Sequence, residues 1–289
     1  MTNTSVAANR VHCPADQSED QYNLAKAFPD YPQLREGWLV ASAALRQRDG
    51  VKADLAYGDQ PLQNLDYYPA GEPGKPLLIF VHGGYWQRGD KGDVGFIAKP
   101  YLDAGINVAS INYSLAPDAP IEDMVTEVRQ AISWLAGRAG ELGFDAKRIS
   151  LMGHSAGGHL VSMMVAQTGA DAALLPAIVC VFGISGVYDL PPLLPSSVNH
   201  ALGLDPARAE ALSPIVYPGP ASTSVYTFVG QGETQQFHEQ ADALGRAWPA
   251  VRLNHVVPDT DHFSILNVLA DGSSPSSRVI IQAMLDGAP

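Results

Sequence analysis

The period of the hydrophobic positions changes along the chain, and each change marks an element. Gln33–Arg48 has apolar residues at Leu34, Trp38, Ala41 and Leu45, the spacing of a helix, with Gly50 as its stop. Ala53–Tyr57 and Gln63–Tyr68 read as two short strands around the turn Gly58-Asp59-Gln60-Pro61. Pro76–Val81 (PLLIFV) is apolar without a break, as a strand buried on both faces must be. A helical region over about Gly92–Ala104 and a second apolar strand over Asn107–Asn112 follow. Ile121–Arg138 is predicted as an amphipathic helix, because Ile121, Met124, Val125, Val128, Ile132 and Leu135 share one stripe. Pro120, Glu122 and Asp123 suit its start.

The alternation continues. Arg148–Met152 reads as a buried strand, Ala156–Gln167 as a helix, and Ala177–Ile184 as a further strand. Ser224–Val229, Gln235–Trp248 and Val251–Val257 read as strand, helix and strand. Ser274-Pro275 opens a final helix to about Leu285. Strands alternating with helices predict an α/β fold, a mostly parallel sheet covered on both faces, with the opening strand pair as an antiparallel edge. Residues 190–222 break the rhythm with recurrent proline and one short helix at Pro206–Leu212. Apolar strands resume after them, so they are expected to form a small cap-like insertion. Residues 1–20 are read as a loosely ordered polar leader and 21–289 as a single domain.

Composition narrows the function. The net charge of −12 argues against nucleic acid or an anionic membrane as partner, and an anionic substrate would need a local basic group. Two cysteines are no disulfide framework; Cys180, in an apolar run, reads as a buried small hydrophobe. The stretch MTNTSVAANR has no apolar core, so no secretory signal is expected. Leu174–Val187, interrupted by Pro176, Gly183, Ser185 and Gly186, is too short and broken to span a bilayer. The expectation is a cytoplasmic protein. An exposed edge strand could pair two copies into a homodimer.

The candidate chemistry centres on Gly153-His154-Ser155-Ala156-Gly157. The pattern G-x-S-x-G between a strand and a helix is the nucleophile elbow of the α/β-hydrolase fold. Ser155 needs a base, and in this fold the partners follow as Ser, then Asp or Glu, then His. His262 is the histidine in the loop after the last predicted strand. Glu233 follows the strand before that one, where a carboxylate could hold the tautomer of His262. Asp189 is the runner-up, and Asp259 and Asp261 are also placed near the base. His82 and His154 flank the site and suit a backbone-binding or turn-shaping role; His159 suits packing. No histidine pair has metal-ligand spacing on a helix, so neither metal nor other cofactor is expected. Ala156 and the loop His82-Gly83-Gly84-Tyr85-Trp86 occupy the places from which backbone N–H groups form an oxyanion hole. Tyr85, Trp86, Tyr188 and Phe263 adjoin these residues and are candidates for an aromatic substrate wall.

The set HGGYW, GHSAGGHL, the VGQGE turn and DHF is similar to the esterases related to hormone-sensitive lipase. It most resembles the kynurenine formamidase (arylformamidase) group, whose oxyanion motif is HGGxW. The stretch GISGVYDL (183–190), with Phe237 and Gln240 beside the acid, supports the likeness, which runs from about Gln33 to the end. The resemblance implies Ser155 as nucleophile, Glu233 as acid, His262 as base, and Gly83, Gly84 and Ala156 as oxyanion donors. It implies a cofactor-free serine hydrolase of small esters or aryl formamides. The group usually has Asp in the acid place, where this chain has Glu233.

Overall fold

The computed structural model describes residues 9–168, 175 and 178–287. Residues 1–8 of the leader, and Ala177 at the start of one predicted strand, lie outside them. In chain order come α1 (Ser18–Tyr22), α2 (Leu24–Ala27), α3 (Tyr31–Arg46), β1 (Lys52–Ala56), β2 (Asn64–Tyr68) and β3 (Lys75–Val81). Then follow α4 (Lys91–Val94), α5 (Lys99–Asp103), β4 (Asn107–Ile111), α6 (Ile121–Gly137), α7 (Ala139–Leu142), β5 (Phe144–His154) and α8 (Ala156–Val165). The chain continues through β6 (Ile178–Ile184), α9 (Asn199–Leu202), α10 (Pro206–Ala211), β7 (Ser224–Gly230), α11 (Gln235–Ala247), β8 (Val251–Val257), α12 (Ile265–Leu269) and α13 (Pro275–Asp286).

The described residues form one eight-stranded sheet, ordered β1-β2-β4-β3-β5-β6-β7-β8. The β1–β2 and β2–β4 pairs are antiparallel and the others parallel. This is the α/β-hydrolase arrangement the pattern predicts. The unbroken apolar run of β3 has a direct cause. Leu77, Ile79 and Val81 enter the core beneath α6 and α8, whereas Leu78 and Phe80 pack on the other face with Trp38, Tyr101 and Ile280. No helix among the described residues is long and apolar enough to cross a membrane.

Three elements differ from the pattern. The helical region near 92–104 is α4, a 3₁₀ turn at Gly95–Ala98, and α5. Pro100 has no N–H to continue the ladder, and Ser42 of α3 draws off the Asp93 carbonyl and the Phe96 N–H. β5 begins at Phe144, earlier than its apolar run, because Asp145–Arg148 are only partly covered and show no hydrophobic signal. The leader is not loose from residue 9 onward. Ser18 is fully buried and its Oγ donates to the Pro192 carbonyl at 2.6 Å. Arg10 and the Val11 N–H both donate to Asp189. Polar composition does not mean solvation when each group finds a fixed partner. The 190–222 stretch folds as α9 and α10 between two 3₁₀ turns, and it buries Leu193, Leu202, Leu212 and Ile215.

Candidate active site

The site lies at the carboxyl ends of the parallel strands, where loops from β3, β5, β7 and β8 meet. β5 hands over to α8 through Ser155 at φ 54°, ψ −117°, a conformation that L-residues avoid. The turn is this sharp because Gly153 and Gly157 allow contact that no side chain would. A Cβ on Gly153 would lie 2.1 Å from the Gly157 carbonyl oxygen, and one on Gly157 2.0 Å from that of Val81. Ser155 N–H donates to the Ile184 carbonyl at 2.8 Å, which ties the elbow to β6. Other positive-φ residues sit close by: Gly84 at +118°, which glycine adopts freely, and the strained Tyr85 at 52°, Trp86 at 57° and Ser185 at 49°. Backbone strain of this kind persists only where the surroundings enforce it.

His262 follows β8 and is fully buried. Its Nδ1 donates to Glu233 Oε2 at 2.7 Å. Glu233 Oε1 also accepts from Ser185 Oγ at 2.5 Å and from the Gly230 N–H at 2.7 Å. The carboxylate is thus fixed from three sides. Among the described residues His262 Nε2 has no hydrogen-bond partner, although it is buried. Ser155 and His262 line the same cleft, together with Gly83 and Gly84. A Cβ on Gly83 would fall 3.0 Å from Ser155 Cβ, so this backbone lies against the nucleophile candidate. Among the described residues the N–H groups of Gly83, Gly84 and Ala156 donate no hydrogen bond.

The other acids have separate employment. Asp189 takes the fork of Arg10 through Nε at 2.9 Å and Nη2 at 2.6 Å, and the Val11 N–H at 2.8 Å. Asp261 Oδ1 accepts from the Phe263 and Ser264 N–H groups and so holds the loop into α12. Asp259 is exposed. The flanking histidines bind backbone. His82 Nδ1 donates to the Gly83 carbonyl, and His154 Nε2 to the carbonyl of His262 at 2.7 Å. His159 Nε2 donates to the Leu212 carbonyl at 2.7 Å.

Burial keeps these three histidines neutral. It lowers His154, with the nearby His262 adding to it, to about 3, lowers His159 to about 4, and lowers His82. An unfolded histidine titrates near 6.5, so below that pH the unfolded chain binds more protons than the native one. Stability should therefore fall as the pH falls, by up to about 1.4 kcal/mol per pH unit for each such histidine. Thermal melts should show Tm decreasing from pH 7 to pH 5, with a shallower slope for His159→Gln. An unchanged Tm over that range would contradict the buried neutral assignment.

The BD-FAE family model matches residues 65–244. Kynurenine formamidase of Danio rerio is 30% identical over 239 residues, which cover 79% of this chain and 80% of that protein. This chain belongs to the BD-FAE family, in the kynurenine formamidase group of α/β-hydrolase esterases. Kynurenine formamidase of Drosophila melanogaster is 28% identical, covering 82% of this chain and 83% of that one. Among solved structures, a candidate thioesterase from Silicibacter sp. superimposes with a TM-score of 0.81 at 30% identity, over 92% of this chain and 98% of that chain. Esterase B from Lactobacillus rhamnosis shares the fold at a TM-score of 0.70 and 22% identity, over 91% of this chain and 93% of that chain. The protein is an enzyme, a hydrolase of the ester or formamide type.

The cleft of this BD-FAE hydrolase has a cavity volume of about 190 Å³, and its walls differ from the predicted set. Tyr85 and Phe263 line it. Trp86 and Tyr188 do not, and both are fully buried behind it. Trp86 packs edge-on against His159, one turn along α8 from Ser155, with centroids 5.1 Å apart. The Tyr188 hydroxyl fills the space that a Cβ on Gly183 or Gly186 would need. Adjacency in sequence suggests both for the wall, but Trp86 packs on His159 and Tyr188 on Gly183 and Gly186 instead.

The missing wall comes from the N-terminal segment. Tyr22, Leu24 and Tyr31 line the cleft with Trp38, as do Ser197 and Val198 of the insertion. Tyr31 stacks on Phe263 at 4.0 Å, and Trp38 Nε1 donates to Asn267. The Tyr85 hydroxyl donates to the Tyr22 carbonyl at 2.7 Å, so the predicted wall holds the unpredicted one. Trp38 was visible as part of a helical apolar stripe, but that pattern cannot tell a core face from a pocket face.

Proposed function

We propose that this enzyme is a serine hydrolase that cleaves aryl formamides through a formyl-enzyme on Ser155. The observation that carries the reading is the buried Glu233–His262 pair at 2.7 Å, whose far nitrogen, Nε2, has no hydrogen-bond partner among the described residues and lies in a cleft shared with a serine on a strained elbow. In the proposed reaction His262 Nε2 takes the Ser155 proton as Oγ attacks the carbonyl carbon. The N–H groups of Gly83, Gly84 and Ala156 receive the developing oxyanion. His262 then returns the proton to the departing aryl amine, and water releases formate by the same route in reverse. Glu233 holds the Nδ1–H tautomer of His262 and steadies its positive form.

Two features support a formamide over a bulkier ester. Trp86, fully buried against His159 one turn along α8 from Ser155, leaves no room there for a larger acyl group. The open side is walled by Tyr31, Trp38 and Phe263, which suits an aryl leaving group. The kynurenine formamidase relatives support the same substrate class. The test is turnover of N-formylkynurenine beside p-nitrophenyl acetate and p-nitrophenyl butyrate. A higher kcat/KM on the formamide is expected. Efficient hydrolysis of the esters alone would make this a short-chain carboxylesterase on the same scaffold.

A further inference from the structure

The cleft carries three charged side chains besides its histidines: Arg88, Asp90 and Asp93. Two are occupied. Asp90 accepts from the Gly92 N–H at 2.7 Å and from Asn112 Nδ2 at 2.8 Å. Asp93 Oδ2 accepts both Nε and Nη2 of Arg35. Arg88 differs. Among the described residues its guanidinium makes no hydrogen bond and no ion pair, and it is exposed at the cleft.

Its backbone is held firmly. The Arg88 N–H donates to the Gly84 carbonyl at 3.1 Å, and the Arg88 carbonyl occupies the place a Cβ on Gly84 would need. The loop that presents the Gly83 and Gly84 N–H groups therefore also fixes where Arg88 starts. The same cleft joins Ser155, the Tyr31 and Phe263 rings, and Arg88.

We propose that Arg88 is a specificity-determining residue that grips a carboxylate on the leaving group, so that the preferred aryl formamides carry an anionic tail. The inference rests on the formamidase reading of Ser155. A guanidinium presents a planar fork that matches a carboxylate bidentately, and the acids that could neutralise it here are already engaged. It is the local basic group that an anionic substrate would need on so acidic a protein.

The test compares N-formylkynurenine with its carboxamide, in which an NH2 replaces one carboxylate oxygen and removes the negative charge, on wild type, Arg88→Gln and Arg88→Lys. In the wild type kcat/KM should favour the carboxylate. In Arg88→Gln the ratio between the two substrates should fall about 10- to 100-fold, the usual range for a charge-assisted hydrogen bond, and the change should sit in KM more than in kcat. Arg88→Lys should restore part of the ratio, because it keeps the charge and loses the fork. A ratio that is unchanged in Arg88→Gln, with both formamides still turned over, would overturn the role of Arg88 and leave the formamidase reading intact. Failure of the wild type to hydrolyse either formamide would overturn both.

Discussion

Ser155→Ala should lower kcat on an aryl formamide by about 10⁶-fold, the loss seen when a serine protease is deprived of its nucleophile. The substitution removes one oxygen and keeps the elbow. The turn depends on Gly153 and Gly157 and on the Ser155 N–H bond to Ile184, and none of these uses the hydroxyl. Among the described residues no hydrogen bond of Ser155 Oγ contributes to the fold, so the variant should melt close to the wild type. Activity and Tm measured on the same preparation separate the two effects. A variant with unchanged Tm and substantial turnover would remove Ser155 from the chemistry. The residual rate should still exceed that of water, because the N–H groups of Gly83, Gly84 and Ala156 remain in place.

Glu233→Gln and Asp189→Asn should separate cleanly. Glu233→Gln should reduce kcat by about 10⁴-fold, as the loss of the acid does in related triads. A glutamine at this position can donate where the carboxylate only accepts, which favours the wrong tautomer of His262. Asp189→Asn should act on stability instead. The buried carboxylate holds Arg10 and the Val11 N–H, and its neutralisation leaves a partly buried guanidinium short of its counter-charge. The cost should be about 1–3 kcal/mol, read as a lower Tm. Arg10→Ala should lower Tm in the same direction. A larger loss of kcat in Asp189→Asn than in Glu233→Gln would move the acid to Asp189.

These outcomes depend on how the leader is used. Arg10 reaches Asp189 and pairs with Glu210, and Glu19 accepts from the Ser197 N–H and hydroxyl. The segment thereby spans from the end of β6 to the insertion and lays Tyr22 and Leu24 over the cleft. Gln240 binds the Tyr22 hydroxyl and also accepts the N–H groups of Tyr188 and Asp189, so α11 supports this N-terminal strap and the residues after β6 together.

Much of this was legible in the sequence, for physical reasons that differ by element. The parallel strands were visible because burial on both faces demands unbroken apolar runs, as in β3. The elbow was visible because its sharp turn admits only glycine at 153 and 157. Glu233 and His262 followed from chain order, since the fold delivers the ends of β7 and β8 to the end of β5. The strap was not legible. Its contacts are hydrogen bonds and ion pairs between positions far apart in the chain, such as Arg10 with Asp189, and such pairing leaves no period. The pocket wall was half legible. Tyr85 and Phe263 stay beside the site they adjoin in sequence, whereas Trp86 packs on His159 in the core and Tyr188 lies on two glycines. Tyr31 reaches Phe263 only through the tertiary fold.

The central claim is that Ser155 is a nucleophile activated by His262, and covalent labelling tests it most directly. The protein would be treated with a fluorophosphonate, digested and mapped by mass spectrometry, with turnover followed in parallel. The account predicts one adduct per chain, on Ser155, with activity lost in step with labelling and labelling suppressed in His262→Ala. Full activity in the labelled protein, or an adduct elsewhere that abolishes activity while Ser155 stays free, would contradict it.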